Sequence, residues 1–268
     1  MSLESPKLDQ WTSGPAYDTF MGRWSVLLAQ EFLNWLRLPA AQHVLDVCCG
    51  SGILSHAIAS QCSPALVAAV DRAPAQVSFA RTHRAHQRIS YALADAMALP
   101  FPAESFDLTV CGLGLNFIPD PARALAEFRR VTRPGGTVAC FVWDYSDGAR
   151  FLRLFWDAAL AVDPEAASFD QGRRFPICKA AGLRDALLAA QFDNPELHAL
   201  EIITRFESFD DYWDPFSTGQ GSAPNYLPTR PPSTHAAIRD RLKANLPAAP
   251  DGSITLPARA WAIRARRA

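Results

Sequence analysis

A carboxylate stands directly before a glycine turn near the start of the chain. Residues 44–54 read VLDVCCGSGIL, so a short apolar run carries Asp46 just ahead of Gly50 and Gly52. A strand that feeds such a turn and then a helix brings backbone N–H groups and a positive helix end close to a ligand. A carboxylate there repels a pyrophosphate and attracts an ammonium group. The pattern favours a ligand with a cationic end, and a carboxylate that caps the turn's own N–H groups is the structural alternative.

Two further acids follow the next two apolar runs. Asp71 ends ALVAAVD, where a carboxylate can accept hydrogen bonds from both hydroxyls of a ribose. Asp95 comes just past the following run, where it can accept from the exocyclic amine of adenine while Ala96 offers a backbone N–H. The alternatives are a helix N-cap for the first and a turn-forming aspartate for the second. Together the three acids fit S-adenosylmethionine, with its amino-acid end at the glycine turn.

The elements that must hold these acids alternate between strands and helices. Short, nearly continuous apolar runs between helical segments predict a mainly parallel sheet covered on both faces, with ligands beyond the carboxyl ends of the strands. The predicted strands are 43–47, 65–71, 89–95, 105–113, 136–143, 197–206 and 253–267. The predicted helices are 17–37, 53–60, 74–86, 121–132, 151–161, 183–191 and 238–246.

These residues resemble those of class I S-adenosylmethionine-dependent methyltransferases. The match covers VLDVCCGSG, AAVD and the run from ALADAMALPF to GTVACFVW, in the order and spacing of that family. Cys48 stands where the glycine motif of the family commonly has its first glycine. Further runs, TRFESFDDYWDPF and ARAWAIR among them, resemble a bacterial group within the small-molecule methyltransferases.

The resemblance implies an α/β fold with a doubly wound, seven-stranded Rossmann-like sheet. Its last strand, within residues 256–264, is expected to run antiparallel between strands five and six. A single methyltransferase domain is expected over residues 1–268. Within it, 15–40 form an N-terminal cap helix, 43–143 the cofactor-binding core, and 144–268 a substrate-side region with an aromatic-rich lid.

The implied cofactor is S-adenosyl-L-methionine, and the candidate residues for it gather at the strand ends and on the N-terminal helix. For Tyr17 and Arg23 on that helix, ordinary packing and a surface cation are the alternatives. The candidate cofactor-binding residues are Tyr17, Arg23, Asp46, Cys48, Cys49, Gly50, Gly52, Asp71, Arg72, Asp95, Ala96, Cys111 and Leu113.

The expected reaction is an in-line displacement at the sulfonium methyl group. Alignment of an oxygen, nitrogen or carbon nucleophile can supply up to ~7–11 kcal/mol of the barrier. A general base adds roughly 10²–10⁴-fold, and only where the nucleophile must lose a proton. Asp144 and Tyr145 are the candidate catalytic residues because they follow the fifth strand at the ligand-bearing edge. His198 and His235 are further candidates, and a surface or packing role is the alternative for all four.

Aromatic side chains in the C-terminal half are candidates for an acceptor pocket. Those assigned to the substrate are Trp156, Phe175, Trp213 and Phe216. Aromatic walls favour a partly apolar, planar small molecule as the methyl acceptor. The same side chains can instead form the core of the C-terminal region.

The amino-acid composition narrows the classes of possible binding partners. A net charge of −1 with interleaved acids and bases gives no footprint for nucleic acid or an anionic membrane surface. No apolar run approaches the ~18 residues of a membrane span, and the polar start MSLESPKLDQW does not resemble a secretory signal. Six cysteines without a C-x-x-C pair indicate reduced thiols in a cytoplasmic protein and no metal site. No pattern predicts an oligomeric state.

Three other functions remain open at this point. A protein or RNA methyltransferase of the same fold is one, although no basic stripe supports RNA. A non-catalytic module that binds the donor is another. A nicotinamide-dependent oxidoreductase is disfavoured by Asp46 and by Ser55, which stands where a third glycine would complete a dinucleotide motif.

Overall fold

All seven strands belong to one sheet. The computed structural model describes residues 14–217 and 220–268, so residues 1–13 of the predicted domain lie outside the described part. The strands are β1 His43–Val47, β2 Leu66–Asp71, β3 Ile89–Leu93, β4 Phe106–Gly112, β5 Thr132–Trp143, β6 Asp193–Phe206 and β7 Ile254–Arg266. Their order across the sheet is β3-β2-β1-β4-β5-β7-β6.

The pairing confirms the predicted fold class. β1 pairs in parallel with β2 and β4, β2 with β3, and β4 with β5. β7 lies antiparallel between β5 and β6. The central strands are buried along nearly their whole length because helices cover both faces, whereas the edge strand β6 alternates buried and exposed residues.

The helices confirm most of the predicted ones with shifted ends. They are α1 Gly14–Tyr17, α2 Arg23–Leu36, α3 Ile53–Gln61, α4 Pro74–His83, α5 Pro121–Val131, α6 Arg150–Val162, α7 Gln171–Arg174, α8 Ala180–Ala189, α9 Phe209–Trp213, α10 Ser222–Tyr226 and α11 Pro232–Asn245. Among the described residues, no helix is both long and apolar enough to cross a bilayer.

The N-terminal helix differs from the prediction. A single helix over residues 17–37 is wrong, because a π-helix at Asp18–Gly22 separates α1 from α2. A Cβ atom on Gly22 would stand 2.9 Å from the Asp18 carboxylate oxygen Oδ1, so the wide π turn favours glycine at this position. The N-terminal segment therefore consists of α1 and α2 joined by a π turn.

The strand order reverses between β1 and β4. From β1 the chain proceeds to β2 and β3 on one side, and then returns to β4 and β5 on the other. The loops that leave β1 and β4 therefore diverge to opposite sides and open a crevice between them. Parallel α/β sheets bind their ligands in this crevice, beyond the carboxyl ends of the strands.

Candidate active site

A cavity of about 440 Å³ lies over the carboxyl ends of five strands. Its lining includes Asp46 at β1, Asp71 at β2, Asp95 after β3, Gly112 at β4 and Trp143 at β5. In sheet order these ends span four strand spacings of about 4.8 Å, or roughly 19 Å. The site therefore suits an elongated ligand that crosses the strand ends, or two ligands placed end to end.

Asp46 carries a buried oxygen atom without a protein partner. Its side chain is 1% exposed, and its Oδ2 atom accepts a hydrogen bond from Ser55 Oγ at 2.5 Å. Oδ1 has no hydrogen-bond partner among the described residues. Burial raises the pKa of Asp46 to about 7, and the negative charge of Asp71 acts in the same direction, while the Ser55 hydrogen bond opposes them. A cationic group in the cavity would satisfy Oδ1 and stabilise the carboxylate.

Asp71 organises the glycine turn. Its Oδ2 atom accepts from the Gly50 N–H at 2.9 Å and its Oδ1 atom from the Ala73 N–H at 2.8 Å. Burial raises the pKa of Asp71 above its usual value. A carboxylate offers about four acceptor positions, so two remain for the hydroxyls of a ribose. The N–H group of Gly50 is capped by Asp71, whereas Asp46 accepts hydrogen bonds from Ser55 at the start of α3.

The glycine turn needs left-handed backbone at three alternate positions. The φ angles are +59° at Cys48, +51° at Gly50 and +83° at Gly52. A Cβ atom on Gly52 would stand 2.6 Å from the Tyr91 hydroxyl and 3.0 Å from the Ala80 Cβ, so space as well as backbone conformation favours glycine there. Cys48 therefore occupies a left-handed position that glycine adopts without strain, at the place where the motif commonly has its first glycine.

Asp95 both forms a turn and lines the cavity. Its exposed carboxylate accepts from the Met97 N–H at 2.8 Å, and its carbonyl accepts from the Ala98 N–H at 3.0 Å. Ala96 is buried beside it in the cavity wall. The turn-forming alternative therefore holds alongside a position suited to an adenine.

Ten of the thirteen candidate cofactor-binding residues line the cavity. They are Tyr17, Asp46, Cys48, Cys49, Gly50, Asp71, Arg72, Asp95, Ala96 and Leu113. Gly52 does not, because it lies at the start of α3 with Tyr91 packed against it. Cys111 does not either, because it is fully buried, with its thiol against that of Cys48.

Arg23 is also outside the cavity lining. Its guanidinium pairs with Asp211 at 3.0 Å and lies over the rings of Trp24 and Phe206. The contact fastens α2 to the C-terminal region, so the Arg23 side chain is engaged away from the cavity and is not a free surface cation.

Three residues that sequence reasoning missed tie the π-helix to the glycine turn. The Asp18 carboxylate pairs with Arg84 at 2.7 Å and accepts from Ser51 Oγ at 2.8 Å. Arg84 also donates to the Ser51 carbonyl at 2.9 Å. These residues lie far apart in the chain, and no local pattern marks them. They close the N-terminal segment over one end of the cavity.

The two candidate catalytic residues have different surroundings. Asp144 is buried outside the cavity lining and pairs with Arg259 at 2.7 Å. Tyr145 lines the cavity. Of the two histidines, His198 stacks on Trp35 and His235 contacts the Leu227 carbonyl, and neither lines the cavity. Tyr145 is therefore the one of these four candidates that lines the cavity.

Three of the four aromatic residues assigned to the substrate are core residues. Phe216 stacks on Phe155 with ring centroids 4.5 Å apart, and Trp213 packs against Phe216. Trp156 is buried and donates its indole N–H to Gln171 at 3.1 Å. None of the three lines the cavity, because the C-terminal helices pack these rings against one another.

Phe175 occupies an intermediate position. Its ring contacts those of Phe117 and Tyr145, with centroids 5.5 and 6.2 Å apart, and both of these residues line the cavity. Phe175 therefore supports the wall from behind.

Part of the cavity wall comes from residues that sequence reasoning missed. They are Met21, Ser25 and Ala29 of the N-terminal segment and α2, together with Phe141 and Trp143 of β5. No local pattern distinguishes such a residue of a cavity wall from a residue of the core.

Comparison with known proteins agrees with this geometry. A family model described as a methyltransferase domain matches residues 45–140. The demethylmenaquinone methyltransferase of Lactiplantibacillus plantarum is 34% identical over 116 residues, which make up 41% of this chain and 49% of that protein. The malonyl-(acyl-carrier protein) O-methyltransferase of Hahella chejuensis is 30% identical over 143 residues, 49% of this chain and 51% of that protein. The chain thus spans about half the length of these curated relatives.

A solved structure extends the likeness to nearly the whole fold. Phosphoethanolamine N-methyltransferase 2 of Haemonchus contortus, in complex with S-adenosyl-L-methionine, superposes with a TM-score of 0.58 at 16% identity. The superposition covers 95% of this chain and 56% of that one. At this identity the likeness concerns the fold. With the match of residues 45–140 to a methyltransferase-domain model, the predicted resemblance to class I S-adenosylmethionine-dependent methyltransferases is confirmed.

Proposed function

We propose that this protein transfers a methyl group from S-adenosylmethionine to a small organic acceptor. The observation that carries the proposal is the unpartnered Asp46 Oδ1, buried at the cavity wall beside the glycine turn. A buried acceptor atom without a donor costs free energy, and the ammonium group of the donor supplies the missing hydrogen bond and a compensating charge.

The donor would lie across β1 to β3. Asp46 holds the ammonium group, Asp71 accepts from the ribose hydroxyls through its two remaining acceptor positions, and Asp95 and Ala96 meet the adenine edge. Bound donor supplies an activated methyl group on a sulfonium. The methionine end then points the methyl group towards β4 and β5, where the remaining cavity admits the acceptor.

The chain's own residues mainly align the reactants. Tyr145 is the side chain at this end of the cavity that can exchange a proton through its hydroxyl group, so it is the candidate for assisting an acceptor that must lose one. Asp144 is committed to Arg259, so its role is to position the segment after β5. Exclusion of water by the N-terminal segment strengthens each charged contact with the donor.

The relatives support a small acceptor without specifying it. Their names refer to a quinone and to a malonyl group on a carrier protein, and these acceptors differ in both shape and reacting atom. The chemical class of the acceptor must therefore be inferred from the cavity of this chain.

Thermal-shift titration tests the donor assignment. S-adenosylmethionine and S-adenosylhomocysteine should each raise the melting temperature, whereas NAD should not, because Asp46 repels a pyrophosphate. A shift produced by NAD alone would overturn the assignment.

A labelled-donor experiment tests catalysis. The protein is incubated with methyl-labelled S-adenosylmethionine and a metabolite extract, and the labelled product is identified by mass spectrometry. Boiled protein and the Asp71→Ala variant serve as controls. A labelled small molecule formed only by the intact protein supports the proposal. Label found only on protein or RNA would mean that those molecules are the methyl acceptors. Donor binding without any labelled product would indicate a non-catalytic module.

A further inference from the structure

A second groove, with a volume of about 750 Å³, lies at the opposite edge of the sheet from the candidate active site. It is lined by the amino-terminal parts of β4, β5 and β6, by the carboxyl end of the antiparallel β7, and by the segment that joins α2 to β1. Among the described residues, none lines both this groove and the cavity over the carboxyl ends of the strands. A ligand in this groove would therefore not touch the donor.

Arginine side chains dominate the charge of the groove. The charged residues of its lining are Arg37, Arg133, Arg264, Arg266, Asp107 and Glu196. Arg133 forms an ion pair with Asp107. Arg264 forms one with Glu196 at 2.7 Å. Four guanidinium groups against two carboxylates leave two positive charges in the lining, although the whole chain has a net charge of −1.

The guanidinium groups that remain are uncommitted. Arg37 and Arg266 are exposed, and within the described part of the chain neither side chain forms a hydrogen bond or an ion pair. Asp193 stands opposite Arg266 on β6, yet these two described side chains are not paired either. Both guanidinium groups are therefore accessible to a ligand and keep all their donors for it.

The packing of α2 against β7 places these two side chains at the same part of the groove. Arg264 donates to the Leu36 carbonyl at 3.4 Å, so its face of β7 meets the end of α2. Side chains two positions apart on a strand share a face, so Arg266 lies on that face as well. Arg37 directly follows Leu36 at the end of α2. The two uncommitted guanidinium groups can therefore converge on one ligand between α2 and β7.

The chemistry of these groups indicates the class of ligand. A guanidinium group matches a phosphate group through two parallel N–H···O bonds, so two such groups suit a ligand with at least two negative charges. Gln42, Thr137 and Asn194 add neutral polar side chains to the lining. The volume of about 750 Å³ lies within the range of small-molecule sites.

We propose that this groove binds a phosphate-bearing small molecule, with its phosphate groups on Arg37 and Arg266. The site is additional to the candidate active site, and the inference does not depend on the proposed function.

Calorimetric titration with inorganic pyrophosphate tests the site. At constant ionic strength and without divalent cations, wild type should bind one pyrophosphate saturably. Arg37→Gly and Arg266→Ala should each weaken binding by about 3–10-fold, because each removes one charge-assisted contact of an exposed group. Arg37→Gly should fold as wild type does, because Arg37 occupies left-handed backbone, with φ +50°, at a helix end where glycine is favoured.

Arg241→Ala is the matched control. Arg241 is exposed on α11 and does not line the groove, and its loss changes the net charge by the same amount. Its pyrophosphate affinity should stay within about twofold of wild type, since exposed charges outside the groove are screened. Weakening by Arg241→Ala as large as that by Arg37→Gly and Arg266→Ala would overturn the proposal, and so would the absence of saturable binding to wild type.

A vesicle experiment distinguishes a soluble phosphate from a lipid headgroup. Wild type should not co-sediment with vesicles of phosphatidylcholine and phosphatidic acid. Co-sedimentation that is lost in Arg266→Ala would assign the groove to a membrane lipid and overturn the small-molecule class. Failure of S-adenosylmethionine to bind would overturn the proposed function alone, because the pyrophosphate titration is made without the donor.

Discussion

The polar end of the cavity and the aromatic body of the C-terminal region are built in opposite ways. At the polar end, Asp46 keeps a buried oxygen that the protein does not fill, and the half-buried Asp71 accepts one N–H at each oxygen. In the aromatic body, Phe155, Phe216 and Trp156 fill the space completely with one another and with their neighbours. Unfilled acceptor positions indicate a ligand, whereas close ring packing indicates stability, although Asp46 and these rings are equally buried.

Removing a ring from the aromatic body should produce the largest effect, and only on stability. Phe216→Ala deletes a buried ring that stacks on Phe155, which should lower the free energy of unfolding by about 3–5 kcal/mol. Donor affinity, measured by calorimetry well below the melting temperature, should stay within about twofold of wild type. Phe175→Ala is the matched substitution of one ring. Because Phe175 is only half-buried, it should lower the free energy of unfolding by less than Phe216→Ala does. A large loss of donor affinity in Phe216→Ala would erase the distinction between the two regions.

Substitution of Asp71 should act chiefly on donor binding, in contrast to substitution of Phe216. Asp71→Ala removes the acceptor of the ribose hydroxyls and of two backbone N–H groups, each a hydrogen bond to a charged group. At about 1.5–3 kcal/mol per such bond, donor affinity should fall by at least ~10–100-fold. Asp71→Asn keeps one acceptor oxygen and should lose less. Calorimetric titration with S-adenosylmethionine measures both variants, and an unchanged dissociation constant in Asp71→Ala would refute the ribose contact.

Weakening the ion pair between Asp18 and Arg84, which ties the N-terminal segment to the glycine turn, should reduce donor affinity moderately. Asp18→Asn weakens the pair with Arg84 next to the glycine turn. A loss of about 0.5–1.5 kcal/mol predicts roughly 2–12-fold weaker donor binding, mainly through faster dissociation. Stopped-flow measurement of the dissociation rate tests this. Asp211→Asn, which weakens the Arg23 pair on the same segment away from the cavity, should leave the rate unchanged.

Cys48 should show the smallest effect. Cys48→Gly relieves left-handed strain of about 1–2 kcal/mol but adds unfolded-state entropy and removes a side chain, so stability should stay within ~1 kcal/mol of wild type. Cys48→Val places a β-branched residue at φ +59° and should be clearly destabilised. Chemical denaturation compares the two, and equal stability of both variants would contradict the backbone geometry of the turn.

The polar end of the cavity could be predicted from the sequence because strand ends fix it. Asp46, Asp71 and Asp95 each lie within two residues of the end of a strand, and parallel strands bring their carboxyl ends to one edge of the sheet. A single residue's place in its own strand therefore decides where its carboxylate lies, without knowledge of distant contacts.

The aromatic residues could not be assigned in the same way. A buried tryptophan looks the same in the sequence whether it lines a cavity or fills a core. Trp156 in α6 packs in the core, whereas Trp143 at the end of β5 lines the cavity, and in both cases the surrounding residues come from other parts of the chain. The contact of Asp18 with Arg84 and the π turn likewise depend on tertiary geometry that local patterns do not encode.

The pH dependence of donor binding tests the central claim, that Asp46 holds the ammonium group. The raised pKa of about 7 means that Asp46 is protonated in the free protein at lower pH. The ammonium group favours the ionised form, so S-adenosylmethionine affinity should rise by up to about tenfold per pH unit towards 7 and level off above it. Asp46→Asn should bind weakly and without this dependence. Calorimetry of both proteins between pH 5.5 and 7.5 gives the answer: parallel, flat profiles of equal affinity would contradict the account.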